Sequence, residues 1–114
     1  MTTLYGISNC DTVKKARKWL DAANIAYTFH DFRVDGLEQE QVEAWLGELG
    51  WETLINQRSA SWRQLDAHVR DSMSAEKALP AVLTAPTLIK RPLLDTGGHR
   101  YVGFNAKIYT EIFD

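Results

Sequence analysis

The sequence predicts one α/β domain whose core is a mixed four-stranded β-sheet. Three observations support this prediction: a strand-helix-strand pattern in the first 32 residues, a helical stretch in the middle, and a hairpin followed by a short helix at the end. A chain of 114 residues fits a single domain with one core. Its 45% apolar and 25% charged residues are close to the averages of globular proteins, so nothing indicates disorder.

The first segment predicts two parallel strands joined by a helix. Residues 4–7 form a short apolar run, and residues 25–32 alternate aromatic and polar side chains, as half-buried strands do. Apolar residues recur at spacings of three and four over residues 11–23, which predicts a helix, and Asn24 suits its C-terminal end. This strand-helix-strand order predicts a right-handed crossover that joins two parallel strands.

The middle of the chain is helical by pattern. Residues 38–49 carry one apolar face, and Gly50 is expected to end that helix. A less regular stretch follows, with a helix from about Ser61. Residues 74–83 again show helical spacing, but Pro80 favours a kink or two short helices there.

The last segment predicts a β-hairpin and a closing helix. Leu93 to Asp95 and Arg100 to Val102 form the strands, Gly97-Gly98 the turn, and Asn105 a helix N-cap. The resulting order, β-α-β, then helices, then β-β-α, is the thioredoxin-like arrangement with an inserted helical subdomain. Other α/β folds with an antiparallel edge strand fit the same pattern.

This order divides the domain into a thioredoxin-like core, at about residues 1–33 and 86–114, and a helical insertion at about residues 34–85. The formal net charge of −2 gives no polycationic signature, so we expect no direct binding to nucleic acid. No apolar run approaches the roughly 20 residues of a membrane helix, and no secretory signal pattern opens the chain. Because a single cysteine cannot form an internal disulfide, we expect a reducing cytoplasm and no membrane partner. We also expect the protein to be a monomer.

Cys10, the only cysteine, lies between the first predicted strand and the first predicted helix. The first N–H groups of a helix lack internal partners and, with the helix dipole, they stabilise an anion such as a thiolate. A lone cysteine is often a small buried hydrophobe, but the polar neighbours Ser8-Asn9 and Asp11-Thr12 argue against deep burial. Val13 occupies the position of a dithiol enzyme's second cysteine. A resolving thiol must therefore come from outside, as glutathione or as a partner protein's cysteine.

Arg58 and Arg91 are candidates for holding an anion beside this thiol. Arg91 directly precedes Pro92 at the start of the third predicted strand, where a thioredoxin-like fold commonly has a cis-proline beside the cysteine. Two arginines would bind an oxyanion, or the carboxylates of glutathione, through bidentate bonds. The alternative is that both are ordinary surface arginines. With one cysteine and scattered histidines, no metal site is expected.

Four segments resemble the ArsC/Spx family of thioredoxin-fold proteins, with most likeness to its YffB-type members. They are spread along the whole chain in the family's order: "YGISNCDTVKKA" at Tyr5–Ala16, "INQRSASWR" at Ile55–Arg63, "LIKRPLL" at Leu88–Leu94 and "YVGF" at Tyr101–Phe104. The combination of the Cys10 loop, Arg58 and Arg91-Pro92 makes the resemblance specific.

The resemblance implies a nucleophilic cysteine at Cys10 and a cis-proline at Pro92. Together with the thiol at a helix start, the missing resolving cysteine and the two arginines, it makes a glutathione-dependent thiol reductase the leading hypothesis. Glutathione would be the co-substrate, no metal is expected, and the mixed disulfide would be resolved by glutathione or by a protein thiol such as glutaredoxin. The substrate or anion site that it implies lies around the cysteine and comprises Asn9, Asp11, Thr12, Arg58, Arg91 and Pro92.

Two other functions are found in the same family. Glutathione-coupled arsenate reductases hold the oxyanion with three arginines, and here the third position falls at Gly103, which carries no charge. Spx-type regulators bind RNA polymerase and usually carry a CxxC redox switch, which Val13 breaks. Arsenate reduction and a non-catalytic Spx-like module that contacts RNA polymerase are therefore the alternatives to the thiol reductase.

Overall fold

The computed structural model describes residues 1–114, and the chain divides into two compact units. The sheet unit comprises Met1–Asp35 and Arg91–Asp114, and the helical unit comprises Gly36–Lys90. The elements follow one another as β1 (Thr3–Gly6), α1 (Asp11–Ala22), β2 (Thr28–Asp31), α2 (Phe32–Asp35), α3 (Gln39–Leu49), α4 (Trp51–Leu54), α5 (Ala60–Arg63), α6 (Ala67–Asp71), α7 (Ala75–Thr84), a 3₁₀ turn (Pro86–Leu88), β3 (Leu93–Thr96), β4 (His99–Val102) and α8 (Ala106–Ile112).

The sheet unit contains a mixed four-stranded sheet in the order β2-β1-β3-β4. β1 and β2 are parallel, whereas β1 with β3 and β3 with β4 are antiparallel. Tyr5 on the central strand β1 shows the register of the sheet, because it pairs with His30 on β2 and with Leu93 on β3. The predicted fold class, an α/β fold of thioredoxin-like order with a mixed four-stranded sheet, is confirmed.

The sheet unit has its own apolar core. Leu4 and Leu94 on the sheet pack with Leu20 of α1 and Tyr109 of α8, and all four are at most 1% exposed. β1 approaches α1 closely at Gly6, where an added Cβ would lie 2.7 Å from a methyl carbon of Val13. Glycine at this position therefore lets the strand end pass under the first turn of the helix.

The helical unit packs an apolar face of α3 around Val42, Trp45 and Leu46, which are all buried. Gly50 ends α3 with a φ of 80°, a conformation that glycine adopts without steric cost. An antiparallel bridge between Ile55 and Ile89, both buried, ties the segment after α4 to the segment after the 3₁₀ turn.

Two predicted elements differ from the observed ones. β2 begins at Thr28 rather than at Ile25, because Ile25 completes the end of α1: Asn24 has a φ of 57°, and the N–H of Ile25 donates to the carbonyl of Leu20 at 3.0 Å. The prediction of two short helices around Pro80 is wrong, since α7 runs through this residue as one helix, and a kink there stays a prediction. Pro80 and Glu76 are both exposed, so water can bond the carbonyl that the proline leaves without a donor.

Candidate functional site

Cys10 is the N-cap residue of α1, with φ −102° and ψ 125°. Its carbonyl accepts the N–H of Lys14 at 2.9 Å, which is the first hydrogen bond of the helix. Its side chain is a free, half-exposed thiol that makes no capping bond. The N–H groups of the first turn have no acceptor inside the helix, so they are oriented towards any anion that forms at this position.

The residues that flank the thiol are open to solvent. Asn9 precedes it in a turn, and Asp11 and Thr12 begin α1; all three are exposed. These residues, which the sequence predicts as part of the site, are therefore accessible to a ligand that approaches Cys10.

Arg91 and Pro92 lie at the same edge of the sheet as the Cys10 loop. Because Tyr5 of β1 pairs with Leu93 of β3, the antiparallel register brings Pro92 to the end of β1 that leads into this loop. The Arg91–Pro92 peptide bond is cis; Pro92 is buried and Arg91 is half-exposed. The Pro92 carbonyl accepts the N–H of Gly103 at 2.8 Å, which holds the chain after β4 against this step.

Arg58 lies in the helical unit, whereas Cys10 and Arg91 lie in the sheet unit. Its backbone N–H donates to Oδ1 of Asn56 at 3.0 Å, and its carbonyl accepts from Nη2 of Arg63 at 2.6 Å. These bonds fix the backbone of Arg58 and leave its exposed side chain projecting from the turn before α5.

The guanidinium groups of Arg58 and Arg91 differ from the others in the chain. Neither makes a hydrogen bond or an ion pair with the protein, whereas the remaining arginines each donate to a group of the chain. Those engaged arginines are Arg17, Arg33, Arg63, Arg70 and Arg100. The two arginines that the sequence predicts as anion ligands are thus the two whose donors the fold does not use.

The sequence interpretation missed two residues at the Cys10 loop. The carboxylate of Asp31 accepts the N–H of Ser8 at 3.2 Å, and Nη1 of Arg33 donates to Oδ1 of Asn9 at 3.3 Å. In the sequence, Asp31 is only one polar residue of an alternating strand. Its position at the C-terminal end of a strand parallel to β1 is the signal that would have found it, since parallel strands end at the same edge of a sheet.

No group of three or more His, Cys, Asp or Glu side chains is arranged to hold a metal ion. No helix is both long enough and apolar enough to cross a membrane.

A sequence profile described as the ArsC family matches residues 5–112. The chain belongs to the ArsC family. The profile covers both units and all the predicted site residues, so the resemblance drawn from the four motif segments is confirmed.

Three individual proteins show what this ArsC-family chain is similar to. A solved protein named YFFB (PA3664) is 40% identical, with a TM-score of 0.93 over 97% of each chain. An arsenate reductase (ArsC) related protein from Brucella melitensis is 41% identical, with a TM-score of 0.81 over 98% of this chain and 93% of that one. The global transcriptional regulator Spx of Streptococcus mutans is 28% identical over 107 residues, which is 92% of this chain and 77% of the regulator.

Proposed function

We propose that this protein is a glutathione-dependent thiol oxidoreductase that uses Cys10 as its single nucleophile. The observation that carries the proposal is the placement of a half-exposed thiol at the N-cap of α1, at the edge of the sheet that also carries Arg91, whose guanidinium group makes no bond within the chain. An anionic sulfur and an anionic ligand are both favoured at such an edge.

The reaction has two thiol–disulfide exchanges. The Cys10 thiolate attacks the glutathione sulfur of a mixed disulfide between glutathione and a substrate; a Cys10–glutathione disulfide forms, and the substrate sulfur leaves as a thiolate that takes a proton from solvent. A glutathione thiolate then attacks the glutathione sulfur of this adduct, which releases oxidised glutathione and restores the Cys10 thiolate. The substrate disulfide is reduced by two electrons, and glutathione is oxidised.

The other residues of the site bind the glutathione moiety in this proposal. Arg91 takes one of its carboxylates through bidentate hydrogen bonds. The exposed residues Asn9, Asp11 and Thr12 flank the thiol, and Pro92 lies at the same edge of the sheet. Arg58, in the helical unit, stays a predicted anion ligand on the strength of its motif and its unengaged guanidinium group.

Turnover of a glutathionylated peptide, with excess glutathione and a coupled readout of oxidised glutathione, tests the proposal. The wild-type protein should release the peptide thiol catalytically. Cys10→Ser should be inactive, because no other thiol exists in the chain. A wild-type rate equal to the uncatalysed exchange, together with no NMR shifts at Cys10 or Arg91 on adding glutathione, would refute the proposal.

Arsenate reduction is a second candidate, favoured by the 41% identity to the arsenate reductase related protein of Brucella melitensis. Against it, the position expected to supply a third oxyanion-binding arginine is Gly103. Steady-state reduction of arsenate with glutathione and glutaredoxin decides between the two, since a rate at background level removes this candidate.

A non-catalytic protein-binding module is the candidate from a different class, favoured by the 28% identity to the transcriptional regulator Spx. Such a module would contact RNA polymerase without a redox switch, because Val13 stands where the second cysteine would be. Cys10→Ser would leave this binding intact in a pull-down with purified RNA polymerase, whereas it abolishes the thiol chemistry proposed above.

A further inference from the structure

The segment that leads into Cys10 is held from the end of β2. Asp31, the last residue of that strand, is 9% exposed. Its Oδ2 accepts the backbone N–H of Ser8 at 3.2 Å, and its Oδ1 accepts the backbone N–H of Arg33 at 2.8 Å. One buried carboxylate therefore joins the end of β2 to the residue two positions before the cysteine.

The side chain of Arg33 adds a second bond to the same segment. Its Nη1 donates to Oδ1 of Asn9 at 3.3 Å. Because the backbone N–H of Arg33 is itself bound to Asp31, the carboxylate also fixes the residue that reaches Asn9. The two residues immediately before Cys10 are thus both bound to the segment where β2 ends and α2 begins.

Helix capping accounts for only one of these bonds. Asp31 precedes α2, and its bond to the N–H of Arg33 is the bond that an N-cap side chain makes. A cap needs a single acceptor oxygen, which serine, threonine or asparagine would also supply. The second oxygen of Asp31 is used by Ser8, 23 residues earlier in the chain. Since burying a charge is costly unless both oxygens are hydrogen-bonded, the bond to Ser8 gives a reason for a carboxylate here.

We infer that Asp31 is a positioning residue which, together with Arg33, fixes the Ser8–Asn9 segment and so sets the place of the Cys10 thiol at the start of α1. The inference rests on the proposed function only in taking Cys10 as the reacting group. Displacement of a reacting atom by about 1 Å can cost on the order of 100-fold in rate, so a loosely held loop would weaken attack by the thiol even with the helix intact.

Alkylation of the native protein by iodoacetamide tests this inference without glutathione. Asp31→Ala should react on the order of tenfold more slowly than the wild type, because the amides of Ser8 and Arg33 both lose their acceptor and a displaced thiol loses the first-turn amides that stabilise its reactive anion. The alkylation rate of Asp31→Asn should lie between those of the wild type and Asp31→Ala, because asparagine keeps one acceptor oxygen but turns an amide group towards the other donor. Asp95→Asn is the matched control: Asp95 is half-buried on β3, where it faces Arg100, and this variant should react at the wild-type rate.

The order of the rates separates positioning from a simple effect of charge. Removal of a nearby negative charge would favour the thiolate, so a charge effect would make Asp31→Asn and Asp31→Ala react equally, and faster than the wild type. If Asp31 had only a structural role, its substitution would lower the melting temperature and leave the alkylation rate unchanged at temperatures where every variant is folded. Either of these results would overturn the inference.

A double-mutant cycle tests whether Asp31 and Arg33 are coupled in positioning the thiol. Arg33→Ala alone should slow alkylation less than Asp31→Ala, since it removes only the longer bond to Asn9. The double variant should be no slower than Asp31→Ala, because the second bond depends on the first; multiplied effects would refute the coupling. If Asp31→Ala does not fold, Asp31→Asn takes its place in the cycle. Absence of glutathione turnover by the wild type would refute the proposed function and leave these comparisons valid.

Discussion

Tyr109 carries a buried hydroxyl that has no hydrogen-bond partner. The residue is 1% exposed and packs edge-to-face against Trp19 at 5.5 Å and against Phe104 at 4.8 Å between ring centroids. The aromatic ring therefore stabilises the core, while the hydroxyl loses its bonds to water on folding and gains none. We predict that Tyr109→Phe raises the free energy of unfolding.

The size of the effect follows from two opposing contributions. An unpaired buried hydroxyl costs about 1–3 kcal/mol. Removal of the oxygen leaves a small void, which costs up to about 1 kcal/mol. The variant should therefore be more stable by about 1 kcal/mol, with a Tm higher by about 4 °C for a chain of this size.

Urea and thermal unfolding followed by circular dichroism measure this difference. Tyr27→Phe is the matched control, because the hydroxyl of Tyr27 accepts a hydrogen bond from Nε of Arg17 at 3.2 Å. Loss of that bond should lower the stability by about 0.5–1 kcal/mol. A Tyr109→Phe variant that is less stable than the wild type would show that the hydroxyl has a partner, such as a buried water, and would refute the reasoning.

The burial of Tyr109 also makes the stability of the fold decrease at alkaline pH. Desolvation raises the pKa of Tyr109 far above its ordinary value of about 10, so above that pH the unfolded chain releases a proton that the folded chain keeps. Stability should fall as the pH rises above about 10, by up to about 1.4 kcal/mol per pH unit from this group. Tyr109→Phe should remove this contribution, and Tyr27→Phe should not.

Three further predictions concern the site and its support. Gly6→Ala should lower the free energy of unfolding in urea by about 1–3 kcal/mol, because the added Cβ would lie 2.7 Å from a methyl carbon of Val13. Adding Val13→Ala to this variant should restore part of the loss, whereas destabilisations that simply add up in the double variant would contradict the prediction. Cys10→Ser should unfold within about 0.5 kcal/mol of the wild type, since a hydroxyl also accepts N–H bonds at an N-cap, whereas a large loss would mean that the thiol belongs to the core. Arg91→Ala should raise the KM for a glutathionylated peptide about tenfold with little change in Tm, and an unchanged KM would remove Arg91 from the site.

The parts of the fold that depend on local periodicity could be predicted from the sequence. Val13, Ala16 and Leu20 recur at helical spacing, and all three are buried on α1. The predicted start of β2 at Ile25 was wrong, because an apolar residue at the start of a strand-like pattern can also complete the end of the preceding helix, and the left-handed conformation of Asn24 decides between the two.

The parts of the site that depend on long-range hydrogen bonds could not be predicted in the same way. The thiol, its position at a helix start and the Arg91-Pro92 step all follow from contiguous sequence. Asp31 is bound to Ser8, 23 residues away; the expected parallel pair brings the ends of both strands to one edge of the sheet but does not show which residues bond there. That link needs the register of β1 with β2, which the sequence gives only as an expected parallel pair.

The central claim is that the fold activates the Cys10 thiol for exchange with an external thiol. The most direct test compares the rate at which oxidised glutathione modifies Cys10 in the folded protein and in the same protein unfolded in urea, followed by mass spectrometry at one pH. Folding should accelerate addition of a single glutathionyl group, and reduced glutathione should then remove it. A folded protein that reacts no faster than the unfolded chain would contradict the claim, because the helix start would then leave the thiol no more reactive than in a disordered peptide.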